Sequence, residues 1–178
     1  MQAVLSPPGK QSPRMDRDAL YREVTEKYGA ALGRLAAAYE AEPERRRDLL
    51  QDVHASVWRS LALFDRRCSL RTWVYRVAHN VATSHLVRQA DLRFVELEEL
   101  TADVDVEALV DRKLVMERVL GLIQRLQPIE RQVIILYLEG LDALAISEVT
   151  GLSPSNVATR VHRIKHTLTQ RFHERSQR

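Results

Sequence analysis

The stretch Leu144-Ala-Ile-Ser-Glu-Val-Thr-Gly-Leu-Ser-Pro-Ser-Asn-Val-Ala-Thr-Arg-Val-His-Arg163 decides the fold of the C-terminal part of the chain. Ser147 is small where two helices must approach closely, and Gly151 follows where the first helix must stop. Glycine takes a positive φ without a Cβ penalty, so it suits that stop. Ser153 can accept from a first-turn amide and Pro154 fits the first turn, which fixes the start of a second helix. Val157, Val161, Ile164 and Leu168 then form its buried stripe. The outward side offers Ser155, Asn156, Thr159, Arg160, Arg163 and Lys165. Arginine can pair with guanine or phosphate and asparagine with adenine, so the expected ligand is duplex DNA. Any two packed helices can share this spacing; it is the serine cap, the glycine, the stripe and the basic outer side together that predict a helix-turn-helix reader.

Working outward, nearly every periodic segment has helical spacing. Upstream of the quoted stretch, helices are predicted over residues 108–126 and 129–139, and the reader helix itself runs to about Arg175. In the N-terminal half, a helix over residues 16–41 carries Leu20, Val24, Tyr28, Leu32 and Leu35 on one face. Pro43 opens a second, with Glu44 at its positive end and Leu49, Val53, Val57 and Leu61 in a stripe. Ser69 can cap a third, whose predicted core face is Trp73, Val77 and Val81. No stretch alternates with period two long enough for a strand. The predicted fold is all-α: two small helical domains, residues 16–90 and 112–178, joined by an acidic linker at 91–111 and preceded by a flexible tail at 1–15.

Charge follows the same division. The net charge of +3 hides a basic block of +5 in residues 1–90, a run of −7 in 91–111, and a second +5 in 151–178. Two basic blocks flanking an acidic connector suggest two anion-binding lobes. A lone cysteine, Cys68, excludes an internal disulfide and fits a reducing, cytoplasmic location. No apolar run approaches the ~20 residues that span a bilayer, and the first residues lack a hydrophobic signal core, so membrane insertion is not expected. His162 and His166 share a helix face, but no third ligand accompanies them, so neither a metal nor another cofactor is expected. No nucleophile–base pairing or glycine-rich phosphate loop is present either, so an enzyme is not expected.

Two N-terminal motifs complete the reading: Asp48-Leu-Leu-Gln-Asp-Val-His-Ala-Ser-Val-Trp58, and Phe64-Asp-Arg-Arg-Cys-Ser-Leu-Arg-Thr-Trp-Val-Tyr-Arg-Val-Ala-His-Asn-Val-Ala82. Followed by Leu126-Gln-Pro-Ile-Glu-Arg-Gln-Val-Ile-Ile-Leu136 and the helix-turn-helix, their order resembles bacterial sigma factors of the extracytoplasmic-function group, taken as the smallest members of the primary sigma family. The resemblance covers residues 20–171. It implies a dissociable subunit that docks on core RNA polymerase through Asp48, Leu50, Gln51 and Asp52. It implies binding and opening of the −10 promoter element by Arg71, Trp73, Tyr75, Arg76, His79, Asn80 and Arg88, with a flipped base pocketed by the loop 65–69. The C-terminal reader corresponds to the module that binds the −35 element as duplex. An anti-sigma factor that occludes both lobes is a further partner the family implies. The linker acquires a possible place in a polymerase nucleic-acid channel. The chain departs from the family pattern at His79, where arginine is common, at Ser84 and Val87, which leave Arg88 without its usual neighbours, and at Ala158, where lysine is common. The competing reading is a helix-turn-helix regulator that binds a palindromic site without polymerase.

Overall fold

Seven α-helices and one short 3₁₀ turn make up the residues described by the computed structural model, 13–93 and 112–174, and no strand occurs among them. The all-α expectation is met. Most of the predicted tail and the linker over 94–111 lie outside the described residues. Helix α1, Pro13–Tyr39, starts inside the segment expected as tail, and α3, Leu70–Arg93, continues three residues into the segment expected as linker.

The N-terminal lobe is built from α1, α2 (Pro43–Ser60) and α3. On α1, Val24, Leu32 and Leu35 are fully buried, and the small Ala31, Ala36 and Ala38 are buried beside them. Helix α2 begins on Pro43, and its predicted stripe of Leu49, Val53 and Val57 is completely excluded from solvent. Full burial of such aliphatic side chains stabilises by ~1.5–3 kcal/mol each. The chain then makes a 3₁₀ turn at Leu61–Leu63 before α3. Ser69 caps α3 as expected, its hydroxyl accepting from the Thr72 amide at 3.0 Å. The core face of α3 is turned by one residue from the predicted one: Val74, Tyr75, Ala78, His79 and Ala82 are buried, while Trp73, Val77 and Val81 are only partly so. One residue is ~100° of rotation on a helix, enough to exchange core and flank.

Four helices form the C-terminal lobe: α4 (Arg112–Ile123), α5 (Pro128–Leu138), α6 (Ala143–Thr150) and α7 (Pro154–Glu174). Helix α5 buries Val133, Ile134, Ile135 and Leu136 in succession, so its middle is enclosed while Pro128, Tyr137 and Leu138 at its ends are exposed. Arg131 is also buried, and its guanidinium donates to the carbonyls of Gln124 and Leu126 beyond the end of α4. The turn between α6 and α7 is as the sequence predicts. Gly151 adopts φ 76° and donates to the Ser147 carbonyl at 2.8 Å, while Ser153 accepts from the Asn156 amide at 3.3 Å.

Candidate nucleic-acid interface

Helix α7 presents one fully solvated face. Val157 and Ile164 point inward, and the opposite side carries Ser155, Asn156, Thr159 and Arg163. His162 and His166 are exposed on the same stripe; the 3.6-residue period from Ser155 passes through both, which is the signal that adds them to the face. Two of the predicted readers are already oriented. Arg160 Nε donates to Asn156 Oδ1 at 2.8 Å, and Arg163 donates to Glu130 of α5 at 2.6 Å. Glu130 sits in the first turn of α5 and was not among the expected site residues. Lys165 lies on a different flank, with its ammonium 3.4 Å from the Tyr137 hydroxyl and over that ring.

The seven residues expected at the −10 element divide into three sets. Tyr75 and His79 are corrected: each is 1% exposed, inside the N-terminal lobe, so neither side chain is available to a base. Tyr75 packs edge-on against Tyr28, and burial pushes its hydroxyl pKa up to about 12. The His79 Nδ1 lies 3.0 Å from the Tyr39 hydroxyl, its Nε2 has no hydrogen-bond partner among the described residues, and burial pushes its pKa down to about 3. Both follow from the family resemblance of this segment, and the one-residue rotation of α3 explains why they turn inward.

Trp73, Asn80 and Arg88 form the second set. Trp73 is half-buried, stacked obliquely on Phe64 at 5.5 Å and donating from Nε1 to the Ser60 hydroxyl at 3.0 Å. Its ring therefore stands firmly beside the 64–69 loop. In that loop Arg66 has φ 63°, a left-handed conformation uncommon for arginine, and Asp65 accepts from the Arg67 amide at 3.2 Å. Asn80 is exposed, as is Arg88, which lies 3.8 Å from Asp52 of α2.

Asp52 itself belongs to the expected docking group. Asp48, Gln51 and Asp52 are exposed along one side of α2, and Leu50 is half-buried beside them. Of the expected docking residues, Asp48, Gln51 and Asp52 thus lie on the solvated side of α2, away from the buried Leu49–Val53–Val57 stripe, whereas Leu50 packs against the core.

Arg71 and Arg76, the third set, face the C-terminal lobe. Arg71 donates to the Glu139 carbonyl and Arg76 to the Glu148 carbonyl, the latter at 2.7 Å. Thr72 donates to the Glu148 carboxylate at 3.3 Å, and Arg34 of α1 makes a two-pronged pair with the Glu139 carboxylate at 2.7 Å on each arm. Gln124 donates to the Ala37 carbonyl at 2.7 Å, and the Arg131 guanidinium lies 5.3 Å from the Tyr39 ring centre. None of these cross-lobe bonds has a local sequence signal.

Among the described residues no group of three His, Cys, Asp or Glu could hold a metal ion, and no helix is long and apolar enough to cross a membrane.

Residues 24–91 match the family described as Sigma-70 region 2, and residues 116–168 match Sigma-70, region 4. Over 128 residues the chain is 30% identical to the RNA polymerase sigma factor YlaC of Bacillus subtilis strain 168, an alignment covering 68% of this chain and 74% of that protein. The fold is similar to CnrH, solved in complex with the cytosolic domain of CnrY, with a TM-score of 0.65 at 20% identity over 92% of this chain and 99% of the other. It is also similar to the sigma factor RpoE of Bartonella quintana, solved with the anti-sigma factor NepR, with a TM-score of 0.70 at 17% identity over 84% and 94% of the two chains.

Proposed function

The chain belongs to the sigma-70 family of RNA polymerase sigma factors, and on that premise we propose that it is a dissociable member of the extracytoplasmic-function group. The family is sigma-70, which replaces the primary-sigma label suggested by the first resemblance. The protein directs core RNA polymerase to promoters through a −10 and a −35 contact. The observation that carries this reading is the order of two matched regions on one chain, with the exposed face of α7 in the second and the aromatic and basic start of α3 in the first.

In this reading, residues 16–90 dock on polymerase and open the −10 element, residues 112–178 bind the −35 element, and 91–111 connect them. Asp48, Leu50, Gln51 and Asp52 meet the polymerase. Opening DNA costs a few kcal/mol per unstacked base, and stacking on an aromatic ring returns ~1–3 kcal/mol per base. In this reading Trp73 takes that role, supported by its bracing against Phe64 and Ser60, with Arg71, Arg76, Asn80 and Arg88 as polar contacts to the strand. The exposed face of α7 reads the duplex through Ser155, Asn156, Thr159, Arg160 and Arg163. Lys165, on another flank, contributes at most a phosphate contact. The protein acts in the cytoplasm, performs no chemistry of its own, requires no cofactor, and is restrained by an anti-sigma factor.

The test is reconstitution. The purified chain added to core polymerase should form a complex and produce promoter-specific starts. A chain that shifts duplex DNA alone, joins no polymerase and directs no start is a regulator instead. Two variants divide the roles. Replacing Arg160 and Arg163 by alanine should weaken −35 recognition by ~1–3 kcal/mol per lost base contact while polymerase affinity stays unchanged. Replacing Gln51 and Asp52 by alanine should weaken polymerase binding and leave duplex −35 affinity intact. Equal losses in both assays for both variants would contradict the division.

A further inference from the structure

Two imidazoles stand at the centre of the solvated face of α7. At ~100° per residue, Ser155, Thr159, His162 and His166 fall within ~60° of arc, opposite the buried Val157 and Ile164. All four are exposed, with Arg163 on one flank of the stripe and Lys165 on the other. Neither histidine has a hydrogen bond or ion pair among the described residues. The rest of the stripe is hydroxyl and amide, from Ser155, Thr159 and Gln170, and the first acid of α7 is Glu174, about two turns beyond His166. Helices α4, α5 and α6 pack behind, and their charges are engaged elsewhere. Glu130 of α5 is bound to Arg163, and Arg131 is buried against the Gln124 and Leu126 carbonyls. Glu148 of α6 accepts from Thr72 at the seam between the lobes, and Arg118 of α4 donates to the Phe172 carbonyl. Glu117 of α4 makes no ion pair among the described residues, and His173, a further two turns along α7, packs edge-on against Phe172.

We propose that His162 and His166 are proton-linked phosphate contacts: each takes up a proton as α7 enters duplex DNA, so the chain binds its promoter more tightly as pH falls. The proposal rests on the reading of α7 as the duplex reader. Imidazole is the side chain whose charge a small push decides near neutral pH. In the free chain that push comes from Arg163 and Lys165, cations on either flank that favour the neutral ring. A phosphate reverses it. The imidazolium offers two N–H donors, and a charge-assisted bond to an anionic oxygen is about twice as strong as a neutral one. The carboxylate partner that the protein does not provide is thus replaced by the ligand. Binding that takes up a proton strengthens by up to about tenfold per pH unit of acidification for each proton.

The experiment uses the full chain and a fluorescein-labelled duplex of about 20 base pairs and random sequence, since phosphate contacts are blind to sequence. Anisotropy gives the affinity at pH 6 and pH 8 over a range of salt. Wild type should bind about tenfold more tightly at pH 6, with a salt dependence steeper by about one to two phosphate contacts. Titration calorimetry at pH 7, in buffers of different ionisation enthalpy, should record uptake of about one proton per complex. His162→Gln/His166→Gln, with both changes at exposed positions, should lose most of the pH dependence and of the proton uptake. His162→Lys/His166→Lys should bind at pH 8 about as tightly as wild type does at pH 6, and change little between the two. A pH dependence and proton count in the glutamine variant equal to those of wild type would overturn the proposal. Arg160→Ala/Arg163→Ala separates it from the reading beneath it. Binding weakened by the arginine changes but indifferent to the histidines refutes only the proton linkage. Binding indifferent to both refutes α7 as the duplex reader.

Discussion

A fully buried imidazole makes stability depend on pH. His79 has a pKa of about 3 in the fold against an ordinary 6.5, because burial disfavours its charged form. The unfolded chain therefore takes up a proton below about pH 6.5 that the folded chain refuses. The contribution is present in full above 6.5 and is lost as pH falls toward 3, at up to ~1.4 kcal/mol per pH unit. Burial also lowers His54, so its contribution has the same sign and likewise starts to be lost below about 6.5. Burial raises Glu40, but hydrogen bonds from His85, the Glu42 amide and Gln89 outweigh it and leave its pKa below the ordinary 4.5, so its loss begins only under that value. Urea unfolding between pH 7 and 4.5 should show wild type losing stability and His79→Leu losing distinctly less. Parallel curves would mean that His79 is solvated. Nothing in the residue types distinguishes a buried histidine from a DNA-facing one at this position. Only the rotation of α3 decides it, and that is set by which neighbours α1 and α2 present.

Elements whose ends carry their own chemical punctuation were the legible ones. The turn at Gly151 and Ser153 could be placed because each residue does something local: one permits a left-handed backbone, the other satisfies an orphan amide. The same logic located the starts of α2 and α3 at Pro43 and after Ser69. The face of α3 was less legible because two layers pack on it, the rest of its own lobe and the C-terminal lobe, so apolar and polar residues both turn inward. A paired test separates backbone from packing. Gly151 has φ 76° and nothing within 4 Å of where a Cβ would stand, so Gly151→Ala should cost ~1–2 kcal/mol through backbone strain alone. Gly121 lies inside α4 with equally open space, so Gly121→Ala should instead stabilise by ~0.8–1 kcal/mol through helix propensity. Urea midpoints that move the same way for both would show that another interaction governs the α6–α7 turn.

Across the whole molecule, one buried cluster runs through both lobes, from Val24 and Leu35 on α1 to Ile134 and Leu136 on α5 and Val157 on α7. The sequence could show two basic blocks and an acidic stretch between them, which correctly suggests two lobes, but it could not show that they meet. Arg34 and Glu139 are 105 positions apart, and no local pattern marks two such residues as a pair. Shared burial and the cross-lobe bonds should make unfolding cooperative. Both tryptophans, Trp58 and Trp73, lie in the N-terminal lobe, so their fluorescence reports that lobe alone, while far-ultraviolet circular dichroism reports the helices of both. In wild type the two probes should give coincident urea transitions, the signature of one cooperative unit. Arg34→Ala removes an ion pair whose Arg34 side chain is 48% exposed, so solvent screening limits the expected loss to about 1 kcal/mol. That loss falls on the coupling rather than on either lobe's own core. The probes should therefore separate in Arg34→Ala, with the fluorescence midpoint holding and only the circular-dichroism curve broadening to lower urea. Wild-type curves that already diverge would mean that each lobe folds on its own and the seam couples nothing.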